Sequence, residues 1–150
     1  MKNQRLLVLF LALAFALAAI APVMVFGQQY GPEGSGKVVF IIQSSDPDLV
    51  FYGLLMAHRS IKNQWLDEVK IVFWGPSEKV IAELPDDSPQ RKLVKEIMAM
   101  GGKSARIWCC KACSDKYGVT EKLEKLGFEV FHVGNTTSYL IKLGFRPWNW

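Results

Sequence analysis

The residues with the clearest capacity for chemistry are Cys109, Cys110 and Cys113, in the segment IWCCKACSDKYGV. Cys110 and Cys113 make a C-x-x-C pair that falls where a strand ends and a helix begins. At such a position backbone N–H groups and the helix dipole favour the thiolate, the form of cysteine that attacks sulfur and carbon centres. Lys111 and Lys116 add positive charge nearby, and Tyr117 shares a helical face with residues 110 and 113, so it is expected to line the same site. Adjacent strand residues point to opposite faces. Cys109 is therefore expected to be a buried core thiol and Cys110 the reactive one, with Cys113 as resolving partner, disulfide half or packing residue. The catalytic candidates are Cys110 and Cys113.

Other chemistries fit less well. A c-type haem attachment needs His after the second cysteine, where Ser114 stands. A structural zinc site needs four ligands, so beyond the three cysteines, two of them adjacent, it would require His132 or His58. His58 lies mid-helix beside Arg59 and reads as a surface or partly buried residue, whereas His132 approaches the cysteine loop only if it lies at the carboxyl end of its strand. Gly31, Gly36 and Lys37 mimic a phosphate loop, but Val38 replaces the Ser or Thr that binds magnesium, and the segment precedes a strand instead of following one. No metal and no cofactor is expected.

The elements that must position the cysteines alternate. Lys37–Ser44 is a continuous β-branched and aromatic run, short enough for a fully buried strand. Asp46 and Pro47 supply an N-cap and a first-turn proline to a helix, a role that fits Asp46 better than general base. Glu68–Trp74 reads as a second strand, followed by a turn at Gly75-Pro76-Ser77 and a short helix with Val80, Ile81 and Leu84. Ser88 caps a third helix that Gly101-Gly102 stops. Lys103–Cys109 reads as a third strand, Cys110–Leu126 as a helix interrupted at Gly118, Phe128–Val133 as a fourth strand, and Thr136–Leu143 as a last helix. Phe145–Trp150 adds a final strand, whose Trp148 and Trp150 suit packing, a subunit contact or an interfacial anchor. This alternation predicts an α/β three-layer sandwich, a mostly parallel sheet of four to five strands flanked by helices, with chemistry at the carboxyl ends of the strands.

Residues 1–27 are of another kind. Lys2 and Arg5 precede an uncharged apolar run from Leu6 to Phe26. This layout fits a signal peptide, with Val25 and Gly27 suited to cleavage before Gln28, and its length also fits a transmembrane anchor. Either way the hydrophobic helix precedes the domain, contacts the membrane and directs the rest out of the cytoplasm, to the periplasm or cell surface. Residues 28–36 (QQYGPEGSG) read as a linker, and residues 37–150 as the folded domain. The formal net charge of the chain is +4. Without Lys2 and Arg5 it falls to about +2, an ordinary mixed surface with no basic stripe, which gives no case for nucleic acid, and none is expected as a partner. Asn135-Thr136-Thr137 matches a glycosylation acceptor pattern, relevant only in a glycosylating route.

Several segments in a fixed order carry a family resemblance: VVFIIQSSDP, YGLLMAHRSI, FWGPSEKVI, IWCCKACSDKYGV, then GFEVFHVG and SYLIKLGF. Together, from about Val38 to Phe145, they resemble the DsrE/DsrF-like family of small sulfur-relay proteins. The resemblance implies that Cys110, with Gly118 eight residues later, accepts sulfane sulfur as a persulfide. It also implies a homo-oligomer, trimer or hexamer, and a sulfur-donor or thiol partner protein. Members are mostly cytoplasmic, and the leader here departs from that. Three readings follow: a persulfide carrier acting through Cys110, a non-catalytic oligomeric binding module of the same fold, and a thiol-disulfide oxidoreductase using Cys110 and Cys113.

Overall fold

The computed structural model describes residues 36–150. The expected leader helix, its cleavage site and nearly all of the linker lie outside the described residues. Among the described residues no helix is long and apolar enough to cross a membrane.

Five strands form one sheet: β1 (Lys37–Ile42), β2 (Glu68–Phe73), β3 (Ile107–Cys110), β4 (Glu129–Phe131) and β5 (Arg146–Asn149). Their order is β4-β3-β2-β1-β5, and each pairing is parallel. Six α-helices connect them: α1 (Pro47–Lys62), α2 (Pro76–Glu83), α3 (Pro89–Ala99), α4 (Lys111–Tyr117), α5 (Thr120–Lys125) and α6 (Val133–Lys142). From β1 to β4 the chain steps steadily toward one edge, and the last connection returns it to the other. Parallel crossovers keep one hand, so reversing the direction of travel moves the connecting helix to the opposite face. Val133 and Leu140 of α6 accordingly pack on the face opposite to α1, α3 and α5.

Strand alternation divides the core in two. Phe40, Ile42, Ile71, Phe73, Ile107 and Cys109 face α1, α3 and α5, where they meet Val50, Leu54, Ile97 and Leu123. Val39, Ile41, Val72 and Cys110 face α6. The helix starts follow local chemistry. The Asp46 side chain accepts the Asp48 N–H at 2.8 Å, and the Ser88 hydroxyl accepts the Arg91 N–H at 3.3 Å, each satisfying a donor that the first turn leaves open. The interruption at Gly118 is a left-handed residue, φ 65°, that ends α4 and that a side chain would strain.

The strands are a few residues shorter than expected, the fourth spanning Glu129–Phe131 instead of Phe128–Val133, and three boundaries have a visible cause. β3 starts at Ile107 instead of Lys103, because Lys103–Ala105 forms a 3₁₀ turn. There the Lys103 carbonyl accepts from Lys70 Nζ (3.1 Å) and the Ser104 hydroxyl accepts the Val69 N–H (3.4 Å). β3 also takes in Cys110, whose register partner is Phe131. Finally, α6 begins at Val133 instead of Thr136, and Val133 is wholly buried against the sheet.

Candidate functional site

Cys109 and Cys110 diverge as the pleat requires. Cys109 is wholly buried in the α1/α3/α5 core. Burial pushes its thiol well above the ordinary range, with the neighbouring Glu78 and Cys110 charges adding to the effect, which disfavours the thiolate that attacks other centres. Cys110 is the last residue of β3 and the N-cap of α4. Cys113, in the first turn of α4, is half-buried and packs on the α6-side core. The two sulfurs lie within 4.8 Å of each other and of a Glu78 carboxylate oxygen.

Glu78 is the site residue that sequence reasoning missed. It sits in the first turn of α2, fully buried, and its Oε1 accepts the Cys110 N–H at 2.8 Å. Burial raises its carboxyl from 4.5 to about 8, against the lowering effect of that hydrogen bond. The α2 end is fixed by the Ser77 hydroxyl, which donates to the Ile42 carbonyl at 2.6 Å. The only sequence signal for Glu78 was its position just after the second strand, at the carboxyl edge where the cysteines also lie.

Burial pushes the Cys113 thiol up to about 11, with a further contribution from its hydrogen bond to Cys110; the Gly75 backbone, also hydrogen-bonded to it, acts in the opposite direction. The site thus holds two neighbouring thiols and a carboxyl kept largely protonated at neutral pH. Such a set can exchange sulfur, close a disulfide or take a cation.

Other expected contributors are elsewhere. Tyr117 packs into the α1/α3/α5 core, because the last turn of α4 reaches the opposite layer from Cys113. Lys111 pairs with Asp115 at 3.0 Å, an i,i+4 contact that holds its charge along the helix, and Lys116 lies over the Tyr117 ring. His58 is buried between α1 and α3 and meets Glu96 at 2.9 Å. His132 is exposed at the N-cap of α6. Neither histidine joins the cysteines. Asp46 is a helix cap. Trp148 stacks on Phe40 at 5.2 Å, and Trp150 packs against the α1 side, where a Cβ on Gly53 would come within 3.1 Å of it.

A conserved protein of unknown function from Bacteroides thetaiotaomicron shares the fold, with a TM-score of 0.62 at 22% identity over 80% of this chain and 100% of that one. No curated protein matches the chain. Residues 37–144 match the model of the DsrE/DsrF-like family, a span that includes all of β1 to β4 and the Glu78, Cys110 and Cys113 site, and the chain belongs to that family.

Proposed function

We propose that this protein carries sulfane sulfur on Cys110 and releases it with the help of Cys113. The observation that carries this reading is the closeness of the two sulfurs, within 4.8 Å, at the carboxyl edge of a parallel sheet. In the loading step the Cys110 thiolate attacks the outer sulfur of a donor persulfide R–S–SH. A new S–S bond forms on Cys110, and the donor leaves as R–S⁻. In the release step the Cys113 sulfur attacks the inner sulfur of the Cys110 persulfide. The outer sulfur leaves as hydrosulfide with the Cys113 proton, and a Cys110–Cys113 disulfide remains. A dithiol partner then reduces that disulfide, supplying two electrons and two protons.

The proposal extends to place and assembly. The basic start and apolar run of residues 1–27 support a domain held or delivered outside the cytoplasm. The exposed apolar side chains of Tyr139, Ile141 and Leu143 on and after α6 support assembly with further copies of the chain.

The test is intact-mass analysis of the reduced, metal-free full chain after exposure to a sulfane-sulfur donor. Wild type gains one sulfur, about 32 Da, by persulfide exchange. Cys110→Ser gains none, and Cys113→Ser retains the adduct longer because its release route is gone. An unmodified wild-type mass, with both thiols free to alkylate, overturns the reading in favour of the binding module. A wild type that only cycles between dithiol and disulfide, without holding sulfur, favours the oxidoreductase.

A further inference from the structure

The site contains something that a sulfur carrier does not need. Glu78 Oε2 is buried and has no hydrogen-bond partner, although the same carboxyl's Oε1 is held by the Cys110 N–H. A buried, unpartnered polar oxygen costs stability unless something satisfies it. A carboxylate oxygen of Glu78 and the sulfurs of Cys110 and Cys113 form a triangle with no side longer than 4.8 Å.

We infer that Glu78, Cys110 and Cys113 form a three-ligand site for Zn²⁺, with the fourth position open to water or to a small thiol or sulfide. Two thiolates select a thiophilic cation over magnesium or calcium, which take oxygen donors. One carboxylate and two thiolates fall within the usual zinc donor types, and three protein ligands with one open position is the layout of a zinc site that exchanges ligands. In a tetrahedral site with Zn–S of about 2.3 Å and Zn–O of about 2.0 Å, donors stand roughly 3.5–4 Å apart. Sides of at most 4.8 Å therefore need to contract by about 1.3 Å or less. The ligands come from two packed elements, α2 and the β3–α4 junction. The Cys110 amide would orient the carboxylate, as outer hydrogen bonds do at metal centres. Half-exposed Cys113 forms the side of the site open to solvent. The site does not depend on sulfur transfer, but the two uses compete: a Cys110 sulfur bound to zinc is not free to take a sulfane sulfur.

The test is titration of the reduced, chelator-treated full chain with Zn²⁺ against a competing chelator, and with Co²⁺ as a spectroscopic reporter. One equivalent of Zn²⁺ binds, and Co²⁺ gives a thiolate-to-cobalt charge-transfer band. Cys110→Ser and Cys113→Ser each lose most of the band. Glu78→Gln, which keeps the acceptor for the Cys110 N–H, weakens Zn²⁺ binding by about 100-fold or more, at least the loss seen when an outer-shell partner is removed. Cys109→Ala leaves binding intact. A second measurement needs no variant: in wild type, Zn²⁺ slows alkylation of Cys110 and Cys113 in parallel with site occupancy. Absence of saturable one-to-one binding, or binding unchanged in Glu78→Gln, overturns the inference. Persulfide loading is measured without metal, so either reading can fail while the other stands.

Discussion

Alternate residues of the same strands build two unequal faces. On one, Phe40, Ile71, Phe73 and Ile107 are wholly buried beneath α1, α3 and α5 in a continuous apolar layer. On the other, α6 packs on Val39, Ile41, Val72 and Cys110, with Phe145 and Cys113 beside them, and this smaller layer admits a lysine. Lys70 is buried there, with its Nζ over the Trp108 ring, donating to the Lys103 carbonyl and paired with Glu68 at 3.2 Å. Two adjacent cysteines divide between these faces. The contrast teaches that the pleat decides the surroundings of each cysteine: Cys109 is sealed in the thick layer, and Cys110 lies in the thin one, where α2 and α4 place Glu78 and Cys113.

The largest effect that tests this contrast is truncation in the thick layer. Phe73 is fully buried and meets Phe128 edge-on at 5.6 Å. Phe73→Ala is expected to cost about 3–5 kcal/mol by cavity formation, read from denaturant unfolding of the full chain. Ile41→Val in the thin layer removes one methyl and is expected to cost about 0.5–1.5 kcal/mol. Equal losses beyond the difference in atoms removed would mean that the two layers are equally tight. The next effect compares the two adjacent cysteines. Cys109→Ser places a hydroxyl among apolar side chains and is expected to lose about 1–3 kcal/mol. Cys110→Ser, beside polar groups at the layer's edge, is expected to lose less in the same metal-free measurement. The reverse order would show that Cys110, and not Cys109, is the packing cysteine.

Much of this architecture was legible from local chemistry. The β-branched run at β1, the Asp46-Pro47 and Ser88-Pro89 helix starts and the left-handed stop at Gly118 act over a few residues, and the sequence displays them directly. The reading that Cys109 and Cys110 face opposite sides, with Cys109 in the core, needed only the two-residue period of a strand. What was not legible depended on distant partners. The displaced start of β3 follows from Lys70 and Ser104 contacts made across the sheet. Lys111 looked like a helper of the thiols, but a nearer carboxylate, Asp115, takes its charge. Glu78 lies 32 residues before Cys110 and, in a short amphipathic helix, looks like any solvent-facing acid. Only the packing of α2 on α4 turns it inward.

The buried acid also gives the thin side a pH signature that the thick side lacks. In the metal-free protein the folded state keeps the Glu78 proton to about 8, whereas the unfolded chain releases it near 4.5. Between these values the folded state binds more protons, so stability falls as pH rises. This contribution is complete below 4.5 and lost above about 8, and water reaching the site past half-exposed Cys113 tempers its size. The informative quantity is the difference from Glu78→Gln, which cancels whatever the rest of the chain contributes. Unfolding midpoints of chelator-treated wild type are expected to decline toward alkaline pH relative to that variant, with Phe73→Ala declining in parallel with wild type because it leaves the acid in place. If wild type and Glu78→Gln instead keep a constant offset from acid to alkaline pH, Glu78 is not held protonated in the fold, and the site is more open to water than its burial implies.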